Sequence, residues 1–581
     1  MTGTDGKKTE TTSLTIGGMT CQGCADHVRE ALVSVPGVAS VDVSLQDGRA
    51  VLKLSDGTGE SALVEAVEAA GYTAEPMPAA EDGTGRSAET TLATDGGSAR
   101  GGEGDGRHLL VVGGGSAAFA AAIRGAELGA RVTMVERGVM GGTCVNRGCV
   151  PSKTLIRAGE VRHLRAHHPF AGVPTGDGAV DMEALVDQKR ELVERLRGAK
   201  YRDVLSAYPA VEYLEGEARF ADPDVVEVEL PGGGTRPFPA DRVVVATGAR
   251  PWIPELPGRE GLEDGTVWTN EDALEAEDVP RCLVVAGAGP VGVELAQLFA
   301  RLGSRVTLVA PGLVPPADAD LAEALAGHLR DEGLEMVTGA RISAVEGPEG
   351  GSGAAGVAVA RGEDGGTRRL PFDRLLLATG RTANTAALGP EGAGLDTSGR
   401  GFLRVDDRLR TSRPGVFAAG DCTDRPQFVY VAATAGTVAA GNALGGDRRL
   451  DLSAMPAVVF TDPQLAWVGL NEREARKRHG DGAVEVRTLP MAEVPRALAN
   501  RDPRGSVKLV ARADDGRLLG VHVLSPQAGE VIQTGVLAVK HGLTVRDIAD
   551  TLFPYLTEVE GLKLAAQTFT KSVEKLSCCA G

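Results

Sequence analysis

The sequence predicts an α/β chain: two strand–helix units that each open on a Gly-x-Gly turn, then an α+β segment, with a separate βαββαβ module in front. Three observations predict it. From His108 onward, apolar runs of strand length alternate with helical periodicity, which argues for parallel sheets. The pattern occurs twice, at "HLLVVGGGSAAFAAAIRGAELGARVTMVE" and at "RCLVVAGAGPVGVELAQLFARLGSRVTLVA". Residues 79–107 are Gly-, Ser- and Thr-rich with almost no large apolar groups, the composition of a flexible linker.

The elements follow in order. In the front module, residues 11–78, "SLTIGG" reads as a strand and "CADHVREALVSV" as a helix with apolar residues at helical spacing. "VASVDVSL" and "RAVLKLS" alternate like paired strands, "SALVEAVEAAG" is a helix closed by Gly71, and "YTAEPM" is a last strand. This is the ferredoxin-like βαββαβ pattern. Beyond Leu452 the chain mixes strands ("GSVKLVARA", "LLGVHVLS") with helices, an α+β segment suited to dimerisation.

Composition narrows the function. The 581 residues carry a formal charge of −18, which disfavours a broad nucleic-acid or anionic-membrane surface. The start "MTGTDGKKTETT" lacks an apolar signal core, and no stretch reaches ~20 uninterrupted apolar residues, so a soluble, cytoplasmic protein is expected. The eight cysteines fall as Cys21/Cys24, Cys144/Cys149, Cys578/Cys579 and two singles, Cys282 and Cys422. In a cytosolic protein, close thiol pairs read as metal or redox sites, and the singles as small core residues.

Gly113, Gly115 and Ala118 form GxGxxA between a strand and an Ala-rich helix. The first glycine permits the turn, the second lets backbone approach a pyrophosphate, and the small third residue allows close helix–strand packing. Glu136 ends the next strand, where a carboxylate holds ribose hydroxyls. Gly287, Gly289 and Gly292 repeat the device, making both units Rossmann-like and implying two dinucleotides with electron transfer between them. The second copy has Ala310 where the first has Glu136, so no acid repels a 2′-phosphate and NADPH is favoured over NADH.

"GGTCVNRGCVPSK" places Cys144 and Cys149 just past the first unit, with four residues between them on an irregular helical start. Structural zinc needs two more ligands at matching spacing, and none is nearby in sequence. A redox-active pair beside a flavin is the better reading. The stretch resembles the flavin disulfide reductases, the family of glutathione reductase and dihydrolipoyl dehydrogenase, over roughly residues 108–570. The shared motifs are GxGxxA, the cysteine motif with "VPSK", "ATG" at 246–248, GxGxxGxE and "TSRPGVFAAGDC" at 411–422.

That resemblance implies FAD as the first dinucleotide, with Asp421 on its ribityl chain and Thr143, Thr247, Gly248 and Arg381 in the cofactor-binding set. Lys153 and Glu294 should pair beside the isoalloxazine, where a fixed positive charge favours the reduced anion. Cys149 becomes the thiolate against flavin and Cys144 the outer, exchanging sulfur. The expected domains are 11–78 metal-binding, 79–107 linker, 108–274 FAD-binding (first part), 275–385 NAD(P)H-binding, 386–450 FAD-binding (second part) and 451–581 dimerisation with a cysteine tail.

The chain departs from the ordinary reductases in three places. Disulfide-reducing members carry a His–Pro-x-x-x-Glu segment whose His protonates a leaving thiolate. Here "FPYLTEVEGLK" is read with Tyr555 in the His position and Glu560 in the Glu position, and a tyrosine is a poor proton shuttle at neutral pH. The chain also ends in "CCAG", and "GMTCQGC" near its start resembles the heavy-metal-associated domain of metal chaperones and pumps. Soft thiolates select soft cations such as Hg(II) and Cu(I).

Together these features imply a branch of the family that reduces thiol-bound Hg(II) to Hg(0). Hg(II) would pass from Cys21/Cys24 or cellular thiols to Cys578/Cys579, then to Cys144/Cys149 of the other subunit of a homodimer. Tyr555 and Tyr201 are read as lining the metal pocket, Tyr201 equally as a half-buried helix aromatic. A mercury transporter is a possible donor. The linker spans roughly 30 Å, close enough to raise the local concentration of delivered metal. Other readings are a dihydrolipoyl- or glutathione-type reductase, a reductase of another thiol-bound metal, and a non-enzymatic metal buffer.

Overall fold

The computed structural model describes residues 9–17, 22–44, 49–55, 59–76, 106–222, 225–239, 241–348 and 353–576. Cys21, Cys578 and Cys579 lie outside them, as does the linker apart from Gly106 and Arg107. The chain divides into two compact units, Met1–Arg100 and Gly101–Gly581.

In the first unit, strands Thr9–Gly17, Val38–Ser44, Arg49–Ser55 and Thr73–Pro76 form one antiparallel sheet. The first strand lies between the third and the fourth, and the second takes the edge beside the third. Helices Gln22–Val33 and Glu60–Ala69 complete the βαββαβ order expected from the sequence. Leu14, Val28, Leu32, Leu52, Leu63 and Val67 are fully buried in its core. Gly71 has φ +88°, the left-handed conformation that lets the chain leave the second helix. Cys24 sits in the first of these helices.

In the second unit, a parallel sheet runs in the order Val416–Ala418, Arg242–Val245, His108–Val112, Arg131–Glu136, Val211–Glu215. Its central strand, "HLLVV", is buried at every position, as a strand covered on both faces must be. A second parallel sheet repeats the plan: Val267–Trp268, Arg374–Leu377, Cys282–Ala286, Arg305–Ala310, Glu335–Thr338. In each, the Gly-x-Gly turn leaves the central strand where the strand order reverses, which is where a doubly wound sheet opens a crevice. The last sheet is antiparallel, Pro456–Val459, Gln464–Gly469, Leu518–Ser525, Ser506–Arg512, Val484–Pro490, with the helix Ala528–His541 packed across it.

Ion pairs tie the second parallel unit to the last sheet. Arg301, 5% exposed, holds Glu332 at 2.7 Å and Asp462 at 2.8 Å, while Gln297 accepts the Asp462 N–H at 2.8 Å. Among the described residues, no helix is long and apolar enough to cross a membrane.

Candidate active site

The two central cysteines stand on either side of a helix break. Helix Gly142–Arg147 carries Cys144; Gly148 interrupts it at φ −134°, and the 19-residue helix Cys149–His167 starts again on the second cysteine. The break brings the two thiols into hydrogen-bonding reach. Cys144 donates to Cys149, and that bond holds Cys149 down at about 7 against the opposing effect of burial, with the Lys153 ammonium helping. The same bond, with burial, pushes Cys144 up. A thiol at the first turn of a long helix is further favoured as the anion. Cys149 is therefore the thiolate and Cys144 the proton holder.

One turn along, Lys153 Nζ meets Glu294 Oε2 at 2.7 Å and lies 4.7 Å from the centre of the Phe460 ring. Glu294, 5% exposed on the helix Pro290–Leu302, also accepts the Phe460 N–H at 2.9 Å. This is the pair expected from the sequence.

The first glycine turn fits a dinucleotide. Gly113 has φ +130°, and a Cβ there would fall 2.2 Å from the Ala246 carbonyl oxygen. Gly115 caps the helix Ser116–Glu127 without a side-chain bond, leaving its first N–H groups for a phosphate, and Ala118 is fully buried beneath. Glu136 accepts the Gly138 N–H at 2.6 Å with one oxygen, and its second oxygen is the one that would take ribose hydroxyls. Asp421, in the turn Gly420–Cys422, is a carboxyl raised by burial, with Arg381 Nε 4.0 Å away. The buried Arg381 Nε has no hydrogen-bond partner, and Arg381 Nη2 lies 3.5 Å from Thr143 Oγ1. Such a desolvated acid beside an orphaned donor suits the hydroxyl-rich ribityl chain of FAD. Thr247 and Gly248, which follow the strand Arg242–Val245, are placed beside this turn, where the Cys422 thiol meets the backbone of both; the Asn384 side chain donates to the Thr247 carbonyl at 3.1 Å.

The second turn is built alike. A Cβ on Gly287 would meet the Ala378 carbonyl oxygen at 2.4 Å, and one on Gly292 the Gly287 carbonyl oxygen at 1.9 Å, whereas Gly289 has open space around it. Gly287 and Gly292 are thereby packing glycines, and Gly289 leaves room above the turn. Ala310, 4% exposed, ends its strand without a carboxylate.

Tyr201 lies in a π-helical turn, Gly198–Arg202, a distortion frequent at functional sites. Its ring packs edge-on to Phe119 at 4.7 Å, its hydroxyl bonds Ser116, and burial raises it while the charge of Cys144 is felt there. Tyr201 is thus a half-buried aromatic on a helix, packed on Phe119. Tyr430 was not foreseen. It stacks on Phe428 at 5.3 Å, donates to the Pro456 carbonyl, and is pushed up by burial and by Cys149. No local motif marks it; "FVYVAATAG" reads only as an apolar helix start.

Two sequence readings need correction. Pro554 supplies the proline of the His–Pro-x-x-x-Glu pattern, so Phe553, not Tyr555, stands in the His position, and Glu558, not Glu560, in the Glu position. Glu558 is 3% exposed and accepts from Ser525 Oγ at 2.8 Å and the Gln527 N–H at 3.0 Å, as a fixed glutamate should. A phenyl ring carries no proton, so the site still lacks the imidazole acid. Tyr555 stands 61% exposed on the same segment, near Leu552 at 92%. Cys422 is a core residue, fully buried, but Cys282 is half-buried and its sulfur accepts from Arg305 Nη2 at 2.7 Å.

Residues 107–436 match the pyridine nucleotide-disulphide oxidoreductase model, residues 455–566 its dimerisation domain, and residues 13–73 the heavy-metal-associated domain. The chain is 47% identical to the mercuric reductase of Acidithiobacillus ferrooxidans over 573 residues, 98% of this chain and 99% of that one. It is 47% identical to the mercuric reductase of Shigella flexneri over 576 residues, 98% of this chain and all of that one. This chain belongs to the mercuric reductase family. The mercuric reductase of Streptomyces lividans, 45% identical, aligns over 479 residues, 82% of this chain and 99% of its own. Among solved structures, a Cu(II) complex of the HOCl-induced flavoprotein disulfide reductase RclA from Escherichia coli superposes with a TM-score of 0.70. It is 29% identical and covers 80% of this chain and all of that one.

Proposed function

We propose that this member of the mercuric reductase family transfers two electrons from NADPH to thiol-bound Hg(II): NADPH + Hg(II) → NADP⁺ + H⁺ + Hg(0). FAD, held by the first glycine turn, Glu136 and Asp421, supplies the two-electron relay between the nicotinamide and the thiol pair. The observation that carries the reading is the Cys144–Cys149 pair, one sulfur an anion near neutral pH, in a site without an imidazole acid.

Each residue has a distinct task. The Cys149 thiolate displaces one thiolate from an incoming Hg(II) complex, and Cys144 displaces the second, its proton passing to that leaving thiolate. Every exchange breaks one Hg–S bond as another forms, so no charge has to be stabilised alone. The Lys153 ammonium, fixed by buried Glu294, keeps the neighbourhood positive while two thiolates coexist. Tyr201 and Tyr430, both neutral, wall the thiols and limit water. Hg(0), uncharged, has little affinity for thiolate and leaves.

Cys578 and Cys579 collect Hg(II) and pass it to Cys144 and Cys149 of the partner subunit in a homodimer, with Tyr555 lining that path. Cys21 and Cys24 load the tail in turn, taking metal from cellular thiols or from a transporter in the cytoplasm, where NADPH is supplied. The test is NADPH oxidation with Hg(II) in excess thiol, set against oxidised glutathione and lipoamide. Mercury vapour with Hg(II) and negligible turnover with the disulfides is the expected result; turnover only with a disulfide ends the reading. Replacing Cys578 and Cys579 by Ala should impair reduction of thiol-chelated Hg(II), and full retention would remove the tail from the path.

A further inference from the structure

Phe460, just past the strand Pro456–Val459 of the last sheet, reaches back to the redox helix. It meets both members of the Lys153–Glu294 pair, and with different groups. Its N–H donates to Glu294 Oε1 at 2.9 Å, while its ring lies beneath Lys153 Nζ, 4.7 Å from the ring centre. Glu294 Oε2 takes the ammonium at 2.7 Å, so each carboxylate oxygen has its own donor. We propose that Phe460 is a positioning residue of the active site, its ring holding the Lys153 ammonium in place against Glu294.

The residues that follow fix where the ring can stand. The Asp462 N–H donates to Gln297 Oε1 at 2.8 Å, and Gln297 Nε2 donates to the Asp462 carbonyl at 2.8 Å. Arg301 Nη2 meets the Asp462 carboxylate at 2.8 Å. Between them Thr461, fully buried, donates its hydroxyl to the Pro463 carbonyl at 2.8 Å. Glu294, Gln297 and Arg301 are all buried and lie on one face of the helix Pro290–Leu302, at helical spacing. Residues 460–462 are thus pinned along that helix, and the ring is carried to Lys153 by a rigid support.

The lysine needs such a contact. Its stem is long and flexible, and its side chain is 35% exposed, so one ion pair leaves the ammonium free to turn toward water. An aromatic face attracts a cation through its quadrupole and also excludes water from that side. Glu294 and Phe460 therefore hold the charge from two directions, while the helix Cys149–His167 anchors the stem. The consequence for catalysis rests on the reading of Lys153 as the fixed charge beside the flavin; the contacts do not.

The experiment uses the full-length holoenzyme and three variants. Phe460→Met keeps the backbone N–H and nearly the volume but has no aromatic face; Phe460→Leu is a second variant of that kind, and Phe460→Tyr retains the ring. Melting curves establish that each is folded. Acylation of Lys153 by a water-soluble anhydride is timed by peptide mass spectrometry, and the flavin midpoint potential is measured by reductive titration. In Phe460→Met and Phe460→Leu, Lys153 should react roughly three-fold faster and the flavin potential should move negative, with KM for NADPH unchanged. Phe460→Tyr should match the parent in both. Parental Lys153 reactivity in a folded Met or Leu variant, or a Tyr variant displaced as far as they are, overturns the proposal. Faster acylation with an unmoved potential supports the positioning and overturns instead the placement of Lys153 beside the flavin.

Discussion

Lys153 Nζ and Glu294 Oε2 sit 2.7 Å apart, joining the redox helix to the second nucleotide unit across 141 residues of sequence. The pair is unequal: the glutamate side chain is 5% exposed and the lysine 35%. Removing the lysine strands a buried carboxylate, whereas neutralising the glutamate leaves an ammonium that water can still reach. Lys153→Met should therefore lower stability by roughly 2 kcal/mol, less than a fully buried pair because of that exposure. Glu294→Gln, which keeps an acceptor for the Phe460 N–H, should cost about 1 kcal/mol. Urea unfolding of both variants checks the order; equal losses would show that the pair is solvated on both sides.

The thiol pair predicts a pH profile. Cys149 is held near 7 chiefly by the hydrogen bond from Cys144, so its thiolate is populated above that pH and lost below it. Alkylation of Cys149 should rise through pH ~7 and level off above it. Cys144→Ala removes the donor that favours the anion, so the midpoint should move upward, toward the ordinary thiol range. A midpoint that stays put would transfer the credit to Lys153 and the helix end.

The second glycine turn separates packing from binding. Gly292→Ala puts a methyl 1.9 Å from the Gly287 carbonyl oxygen and should disrupt the turn itself, lowering thermal stability and NADPH use together. Gly289→Ala meets nothing within 4 Å and should fold normally while raising KM for NADPH about ten-fold, because the methyl occupies the phosphate approach. Melting curves and steady-state kinetics on both variants test this; a Gly289→Ala enzyme with unchanged KM would place the cofactor elsewhere.

Tyr430 and Tyr201 should respond differently to loss of a hydroxyl. Tyr430→Phe keeps the stack on Phe428 but leaves the Pro456 carbonyl without its donor, a cost of about 1 kcal/mol. Tyr201→Phe keeps the edge contact with Phe119 and loses the Ser116 bond beside the thiols. Both should slow Hg(II) turnover while NADPH binding is unaltered, measured as kcat on thiol-bound Hg(II) against KM for NADPH. Wild-type kcat in both would reduce the two rings to packing.

Much of the site was legible because its chemistry is local. The turns around Gly113 and Gly287 are strand–glycine–helix sequences, and the same few residues that bend the chain also face the phosphate. The Cys144–Cys149 spacing likewise carries its own meaning, since one helix break suffices to bring the sulfurs together. Position in a pattern proved less secure where only one landmark was fixed: Pro554 sets Phe553 and Glu558 as the equivalents of the missing acid and its partner. Cys282 looked like a core residue by type, yet Arg305 from the neighbouring strand gives its sulfur a polar partner.

The sequence by itself determined the two parallel units, the front βαββαβ module and the thiol pairs, because hydrophobic period, glycine placement and cysteine spacing act within a few residues. Only the tertiary structure decided which sulfur is the anion, that Lys153 is clamped by Glu294, and that Tyr430 donates to the Pro456 carbonyl. Those facts depend on groups far apart in the chain being desolvated together, and electrostatics of that kind exists only once the elements have packed.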